Sequence, residues 1–243
     1  MTSKDEFVTC KDDEPITLLE DRLKKFDLLP VSAKKIKYFV SKTEVEKFLE
    51  KNISVTVRDV KQPISENDPI SEDEPIDQFF LLREEPNFVT KHDGVIGIVT
   101  PADLNKIPSK MVFYILISSF ERLLIKSIKN LDLTKKEIEG YIGFKRWWEA
   151  LERYEKVRKE NFQLSPIDCL NTSDLINLAC KKQSIRRLLK YPSESEARKS
   201  LKSLSYLRNK VMHAGYPVIQ NKKQLIRRRG AYRRIRQHIV DLT

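Results

Sequence analysis

The spacing of apolar residues changes character close to residue 108. Before that point, short apolar runs of strand length alternate with polar turns; beyond it, apolar residues recur with helical period over long segments. The second pattern predicts five helices, at residues 109–130, 134–160, 172–190, 194–213 and 221–241. Pro108 disfavours helix before it, and Ser109 can cap the helix that follows. We therefore expect an α+β domain at residues 1–107 and an all-α helical bundle at residues 108–243.

The first of these regions contains an internal repeat. Asp13-Glu14-Pro15-Ile16 returns sixty residues later as Asp73-Glu74-Pro75-Ile76. Each copy is followed by an apolar stretch, then a strand-like run, then a hydroxyl residue with an acid three positions on. The pattern predicts strand, helix, strand, strand, helix in each copy. The hydroxyl and acid are Ser41 and Glu44 in the first copy, and Thr100 and Asp103 in the second.

Gly97-Ile98-Val99-Thr100-Pro101-Ala102-Asp103-Leu104 resembles the signature that closes a CBS domain. Two repeats of this length resemble a tandem CBS pair across about residues 1–107, although Tyr38 stands in the first copy where the second has Gly97. The resemblance implies a cleft for an adenine nucleotide such as AMP, ATP or S-adenosylmethionine. In it, hydroxyls contact phosphate and acids hold the ribose. The implied ligand residues are Thr100 and Asp103, with Ser41 and Glu44 as weaker counterparts.

Elementary chemistry agrees with this interpretation but leaves an alternative open. A hydroxyl at a helix start, beside free backbone N–H groups, suits a phosphate. The same spacing of hydroxyl and acid is also an ordinary capping box. For Ser41 and Glu44 the capping interpretation is favoured, because the Tyr38 ring would fill space that a ligand needs. For Thr100 and Asp103 both interpretations stand.

Charge is distributed unevenly between the two regions. The net charge of the chain is +11, but residues 1–110 carry 17 basic and 22 acidic residues, a net of −5. Residues 111–243 carry 29 and 13, a net of +16. A domain of that charge attracts polyanions, of which RNA, DNA and anionic membrane surfaces are the usual ones. Any such partner is expected on the C-terminal region.

The most informative motif of the C-terminal region is Arg208-Asn209-Lys210-Val211-Met212-His213. In a helix, Asn209 and His213 share one face, and Arg208 projects near enough to bracket the same phosphate. The stretch resembles the HEPN family, marked by an Arg, a polar residue and, after four to six residues, a His on a late helix. The resemblance covers about residues 109–240. It implies a metal-independent endoribonuclease that sets two motifs face to face in a homodimer, although other members only bind nucleic acid, nucleotides or proteins.

The residue types fit RNA cleavage without a metal ion. A base must activate the 2′-hydroxyl, an acid must protonate the leaving oxygen, and a cation must stabilise the crowded phosphate. His213 acts as acid or base, Arg208 supplies the permanent charge, and Asn209 orients His213 or the substrate. One histidine cannot make both proton transfers at once, which is a chemical reason to expect a homodimer. The alternative is that Arg208 and His213 cap the helix or pair with Glu194 or Glu196.

A dense basic segment follows the motif. Leu225, Ile235 and Ile239 can seat one face of the last predicted helix in the bundle, with the arginines facing outward. The candidate nucleic-acid contacts are Arg227, Arg228, Arg229, Arg233 and Arg234. Contact with RNA phosphates is the functional interpretation, and a solvated helix face is the alternative.

Other features narrow the class of protein. The three cysteines are widely spaced and are expected to be buried thiols, and neither they nor the three histidines predict a metal site. No spanning helix or secretory signal is expected, so we predict a cytoplasmic protein without membrane contact. We expect a ligand-regulated, metal-independent endoribonuclease that needs no cofactor. The alternatives are a catalytically inactive regulatory protein that binds RNA, nucleotide or a protein partner, and a ligand-sensing module without nucleic acid.

Overall fold

The computed structural model describes residues 2–3, 7–33, 35–64, 69–74, 87–92, 94–159, 163–213 and 215–243. The chain divides into two compact units, Met1–Lys106 and Ile107–Thr243. The first unit combines short helices with strands, and the described residues of the second are helical with connecting turns. The chain therefore has an α+β part followed by a helical part.

The strands of the first unit form two sheets. The strands are β1 (Thr2–Ser3), β2 (Leu28–Pro30), β3 (Tyr38–Ser41), β4 (Gln62–Pro63), β5 (Ile70–Ser71), β6 (Asn87–Lys91) and β7 (Gly94–Val99). One sheet has the order β2-β3-β4, and the other has the order β1-β7-β6-β5. The helices are α1 (Glu20–Leu23), α2 (Lys42–Glu50) and α3 (Val57–Val60), with 3₁₀ turns at Ile16–Leu19 and Pro101–Asn105.

The internal repeat of the sequence is visible in the strand pairing. In the first copy Cys10 pairs with Val31 in parallel, and β2 and β3 form an antiparallel pair. In the second copy β5 pairs with β6 in parallel, and β6 and β7 form the antiparallel pair. The predicted first helix of the second copy, like Pro75 and Ile76, lies outside the described residues. The predicted last helix of that copy is only a 3₁₀ turn, because Lys106 returns the backbone to an extended conformation.

The two copies exchange their first strands. β1 pairs with β7, and β4, which opens the second copy, pairs with β3 of the first. Ser3 is opposite Gly97 in one sheet, and Pro63 is opposite Tyr38 in the other. Tyr38 and Gly97 therefore occupy equivalent places in the two copies, as the sequence comparison predicted.

Apolar side chains from both copies hold the first unit together. One buried cluster belongs to the first copy and includes Leu19, Leu29 and Val40. A second cluster joins the two sheets, and in it the rings of Phe39 and Phe88 lie 5.3 Å apart between centroids. Burial of these rings removes large apolar areas from water, so the second cluster stabilises the packing of one copy on the other.

The second unit is built around one long helix. Its helices are α4 (Ile107–Lys129), α5 (Lys135–Ile142), α6 (Phe144–Arg158), α7 (Thr172–Lys181), α8 (Gln183–Leu188), α9 (Glu194–Met212) and α10 (Lys222–Leu242), with a 3₁₀ turn at Pro166–Cys169. Helix α4 packs against α7, α9 and α10. Its buried face carries Phe113, Ile117 and Leu124 at helical spacing, whereas Met111 and Ile115 on another face are exposed.

Two of the five predicted helices are broken. The prediction of one helix over 134–160 is wrong because Gly143, at φ 91°, has a left-handed backbone that separates α5 from α6. The prediction of one helix over 172–190 is wrong because Lys182 is extended between α7 and α8. There Arg186 donates hydrogen bonds to the carbonyl oxygens of Cys180 and Lys181, which satisfies the open end of α7.

The cysteines are free thiols in different surroundings. Cys10 and Cys180 are buried, whereas Cys169 is only partly buried, so its predicted burial is corrected. Burial raises the pKa of Cys10 to about 11, and it also raises the pKa of Cys180. The two buried thiols are therefore protonated packing residues and poor nucleophiles at neutral pH.

Candidate functional site

Helix α9 carries the Arg-Asn-x-x-x-His motif at its C-terminal end. The helix begins after Ser193, whose side chain accepts a hydrogen bond from the backbone N–H of Glu196. It ends at Met212, one residue earlier than predicted, and His213 has the extended backbone angles φ −101° and ψ 112°. The expectation that Asn209 and His213 follow helical spacing is therefore corrected, because His213 already lies outside the helix. Both side chains are exposed to solvent.

Arg208 is directed towards α4. Its Nε atom lies 3.7 Å from an Oε1 oxygen of Glu121, and about two fifths of the Arg208 side chain is exposed. Glu121 also accepts a hydrogen bond from the hydroxyl of Thr172 on α7. Arg208 thus pairs with a carboxylate other than the predicted alternatives Glu194 and Glu196. Because Glu121 contacts both Thr172 and Arg208, its carboxylate limits the orientations of the Arg208 guanidinium. The exposed part of the Arg208 side chain faces water.

The turn that contains His213 is fastened to the first turn of α4. Lys110 is buried, and its Nζ donates hydrogen bonds to the carbonyl oxygens of His213 at 3.3 Å and Tyr216 at 2.8 Å. Within the turn, the backbone N–H of Tyr216 donates to the carbonyl of His213. The His213 ring meets the Tyr216 ring edge-on, with centroids 5.6 Å apart. The backbone of His213 is therefore held while its ring stays open to solvent.

The contacts of Arg208 and His213 on α4 are separated along that helix. Glu121 and Lys110 lie about three turns apart, which is about 16 Å at 1.5 Å per residue. Neither residue is predicted from the sequence to support the motif. They lie about a hundred positions earlier in the chain, and an acid and a lysine on a long helix give no local signal.

The arginines of α10 fall into two groups. Arg227, Arg233 and Arg234 are exposed, and Arg229 is partly buried. Arg228 is buried, and its Nε donates to the carbonyl oxygen of Val218 across 3.2 Å. Burial lowers the pKa of Arg228. The expectation that all five arginines face outward is corrected at Arg228, which lies on the same face as the buried Leu225, Tyr232 and Ile235.

Thr100 and Asp103 form a complete capping box. The backbone N–H of Thr100 donates to Asp103 Oδ2 at 2.7 Å, and the Thr100 hydroxyl donates to the same oxygen at 3.0 Å. Lys106 pairs with the other oxygen at 2.6 Å, and the carboxylate is nearly fully buried. Burial by itself raises the pKa of Asp103, but the hydrogen bonds and charges around the carboxylate, among them those of Lys106 and Thr100, together outweigh it and lower the pKa to about 2.

Ser41 and Glu44 also cap a helix. The Ser41 hydroxyl accepts from the backbone N–H of Glu44 at 3.3 Å, and the Glu44 carboxylate accepts from Lys47 at 2.8 Å. Among the described residues, a hydroxyl with an acid three positions on also starts a helical segment at Thr56 with Asp59, Thr134 with Glu137, Ser165 with Asp168 and Ser193 with Glu196. The motif therefore serves as a helix start at several places in the described part of the chain.

A cleft of about 370 Å³ lies in the first unit, between the turn after β6 and the strands β3 and β4. Its lining includes Tyr38, Ile64, Thr90 and His92, drawn from both copies of the repeat. Neither Thr100 nor Asp103 lines it. The Tyr38 ring, predicted to fill ligand space, is one wall of this cleft, and the Lys61 ammonium lies 4.7 Å from the ring centroid.

The described residues contain neither a metal-binding cluster nor a membrane-spanning helix. Within the ranges that the structure describes, no group of three or more histidine, cysteine or acidic side chains is arranged to hold a metal ion. In the same part of the chain, no helix is both long enough and apolar enough to cross a membrane.

Comparisons with known proteins assign no family to the chain. No family model matches it, and no curated protein matches it. One similar solved structure is described as "Crystal structure of CBSX2 in complex with AMP". The similarity covers 43% of this chain and 88% of that one, with 19% identity and a TM-score of 0.33. AMP is the ligand of that protein, and similarity at this level assigns no ligand to this chain.

Proposed function

We propose that the second unit is a metal-independent endoribonuclease and that the first unit regulates it by binding an adenine nucleotide. The observation that carries the proposal is the end of α9. There an exposed histidine ring projects from a turn held by Lys110, and Arg208 on the preceding helix is oriented by Glu121. This end belongs to a region with a net charge of +16, which attracts the RNA backbone.

Each residue of the motif has a role in cleavage. His213 takes the proton of the RNA 2′-hydroxyl, whose oxygen then attacks the adjacent phosphorus and forms a 2′,3′-cyclic phosphate. The P–O bond to the 5′-oxygen breaks, and that oxygen receives a proton from an acid. Arg208 stabilises the charge that develops on the phosphate, with a guanidinium fork suited to two of its oxygens. Asn209, exposed one residue further, orients the substrate.

A second copy of the chain supplies the missing acid. One His213 removes a proton and another donates one, so the two motifs must face each other in a homodimer. The exposed apolar residues of α4, Met111, Tyr114 and Ile115, support such an association. They form a row at helical spacing on a long helix, and an exposed apolar row is typical of a protein interface.

Regulation by an adenine nucleotide rests on the two copies of the repeat. A phosphate at Thr100 requires the hydroxyl hydrogen that Thr100 now donates to Asp103, because a threonine has only one hydroxyl hydrogen. Binding would therefore release the Asp103 carboxylate to accept from ribose hydroxyls. Ser41 and Glu44 are the weaker counterparts, since Glu44 is held by Lys47. The ligand would break one capping box and so change the start of the segment that leads into α4.

A second candidate is a catalytically inactive protein that binds RNA, a nucleotide or a protein partner. The ion pair between Arg208 and Glu121 favours it, because a guanidinium that stays with a carboxylate stabilises a transition state less. The two candidates differ in whether RNA is cut, so cleavage is the deciding measurement.

Cleavage is tested on purified full-length protein with labelled single-stranded RNA in excess chelator. We expect products ending in a 2′,3′-cyclic phosphate, with no cutting of DNA or 2′-O-methyl RNA, which lack the nucleophile. His213→Ala should slow cleavage by about 10²–10⁴ for each proton transfer lost. His92→Ala, in the first unit, is the matched histidine control and should cut normally. Cutting by His213→Ala at the normal rate, or loss of cutting on adding chelator, contradicts the mechanism.

Nucleotide binding is tested by titration calorimetry with AMP, ATP and S-adenosylmethionine. We expect at least one of them to bind and Asp103→Asn to bind it more weakly. If none binds, or if Asp103→Asn binds as tightly as the wild type, the regulatory part of the proposal fails and the cleavage part stands unaffected.

A further inference from the structure

Two exposed tyrosines, one near the end of α9 and one in the His213 turn, lie close to cationic side chains. Tyr206 and Tyr216 each keep 54% of their surface accessible. The Nζ of Lys210 lies 4.5 Å from the ring centroid of Tyr216 and 5.7 Å from that of Tyr206. The guanidinium of Arg228 lies 5.3 Å from the ring of Tyr206. We call Tyr206 and Tyr216, with Lys210 near both rings, the tyrosine platform.

Contacts with buried residues position the platform without burying it. Arg228 is buried and donates a hydrogen bond to the carbonyl of Val218, so its guanidinium has a fixed position near the Tyr206 ring. The backbone of Tyr216 is held by Lys110 through its carbonyl oxygen. Both rings therefore have neighbours that position them, while about half of each residue stays exposed to solvent. Their exposed aromatic surface can stack against a planar ligand.

The platform adjoins the proposed catalytic histidine. The centroids of the Tyr216 and His213 rings are 5.6 Å apart, and the rings meet at 76°. Stacked bases rise by about 3.4 Å, so a base on Tyr216 lies within two nucleotides of His213. The Lys210 ammonium lies over one face of the Tyr216 ring, so a base would stack on the other face and the ammonium would lie near the phosphates of the same nucleotides.

We propose that the tyrosine platform stacks unpaired bases of single-stranded RNA and that Tyr216 holds a base next to the scissile phosphate. Every base has a π-face, so stacking on tyrosine accepts any sequence, and the neighbouring cations add attraction for the backbone. A base in a duplex is already stacked and paired, so the platform selects single strands. This inference rests on the proposed RNA-cleaving function and names its substrate as single-stranded RNA.

The test uses a single-stranded 2′-O-methyl oligonucleotide that contains 2-aminopurine, which cannot be cut and whose fluorescence falls on stacking. Binding is followed by anisotropy, and stacking is followed by 2-aminopurine fluorescence. Tyr216→Leu should weaken binding by about 5- to 150-fold, the range of one base stacked on an aromatic ring, and should abolish the quenching. Tyr216→Phe keeps the ring and should behave as the wild type. Fully paired duplex should bind both variants and wild type equally.

The matched control is Tyr38 of the first unit. It is an exposed tyrosine with the Lys61 ammonium 4.7 Å from its ring centroid, so it has the same local arrangement in the acidic region. Tyr38→Leu should leave affinity for the oligonucleotide unchanged. Thermal melts of each variant establish that a lost affinity does not come from unfolding.

The outcomes separate the inference from the function on which it rests. If the wild type binds the oligonucleotide but Tyr216→Leu binds equally and still quenches, the platform is overturned and RNA binds elsewhere. If Tyr216→Leu loses affinity for duplex and single strand alike while Tyr216→Phe keeps both, the ring has a structural role and the inference fails. If the wild type binds no RNA at all, the proposed function itself fails, and an exposed aromatic surface for a protein partner takes its place.

Discussion

Lys110 and Tyr216 are joined by a hydrogen bond of 2.8 Å between the lysine Nζ and the tyrosine carbonyl oxygen, although they lie 106 positions apart in the chain. The lysine is 7% exposed and belongs to the first turn of α4. A second hydrogen bond from the same Nζ reaches the carbonyl of His213. The segment that carries the proposed catalytic histidine is thus attached to the start of the helix that follows the first unit.

Replacing this lysine tests the attachment. In Lys110→Met, the side-chain length is kept but both hydrogen bonds are lost, and hydrogen bonds to charged groups contribute about 1.5–3 kcal/mol each. We expect the free energy of unfolding, measured by urea denaturation, to fall by about 2 kcal/mol or more. Lys126→Met, an exposed lysine of the same helix, is the control and should be close to the wild type. Equal stability of the two variants would show that Lys110 does not hold the turn.

The exposed arginines of α10 should control the salt dependence of RNA binding. Arg227, Arg233 and Arg234 are replaced together by glutamine, and the logarithm of the binding constant is measured against that of the salt concentration. For a single strand each phosphate contact contributes about 0.7 to the slope, so the triple variant should flatten it by up to about 2 units. Arg228→Gln, at the buried position, should instead lower the free energy of unfolding and keep the slope. If the triple variant keeps the wild-type slope, these arginines form a solvated face of α10 and do not contact RNA phosphates.

Asp103 should stabilise the first unit at neutral pH and lose this effect in acid. Its folded pKa, about 2, lies below the ordinary 3.8, so its stabilisation is present above about pH 3.8 and is lost as the pH falls through about 2. The difference in pKa corresponds to about 2 kcal/mol. Asp103→Asn should lower the unfolding free energy by about this amount at pH 7 and have little effect near pH 2. The exposed Asp73→Asn is the control, and a pH-independent effect at Asp103 would contradict the assignment.

His238 should destabilise the second unit in mild acid. The side chain is buried, its Nε2 lies 2.7 Å from the hydroxyl of Tyr191, and burial lowers its pKa below the ordinary 6.5. The folded protein therefore favours the neutral ring. Stability is complete above about pH 6.5 and falls as the pH drops below that value.

Chemical denaturation at pH 7.5 and pH 5.5 measures this dependence. His238→Gln, which cannot take up a proton, should lower stability at pH 7.5 but make the loss between the two pH values smaller than in the wild type. His92→Asn, on an exposed turn of the first unit, should leave the pH dependence as it is. A loss between the two pH values that is the same in His238→Gln and wild type would assign the effect to other groups.

Local chemistry in the sequence determined the positions of most elements. The hydroxyl and acid pairs at residues 41–44, 100–103 and 134–137 start helical segments because their side chains bond to nearby backbone groups within one turn. The apolar run before Thr100 forms β7, and the change of period near residue 108 coincides with the start of α4. These features depend on neighbours a few residues away, so the sequence alone predicts them.

Contacts between distant residues were decided by the tertiary structure. The breaks at Gly143 and Lys182 lie inside segments with continuous helical periodicity, so the apolar pattern alone does not reveal them. The run of basic residues predicts that Arg228 is exposed like its neighbours, yet the orientation of α10 turns it inward to the carbonyl of Val218. Likewise, the pairing of Arg208 with Glu121 joins two helices. The sequence by itself therefore determined the motif and the charge of its surroundings. The packing of α4, α9 and α10 decided which side chains meet. The physical reason is that contact energies depend on distances in space, and these pairs lie far apart in the chain.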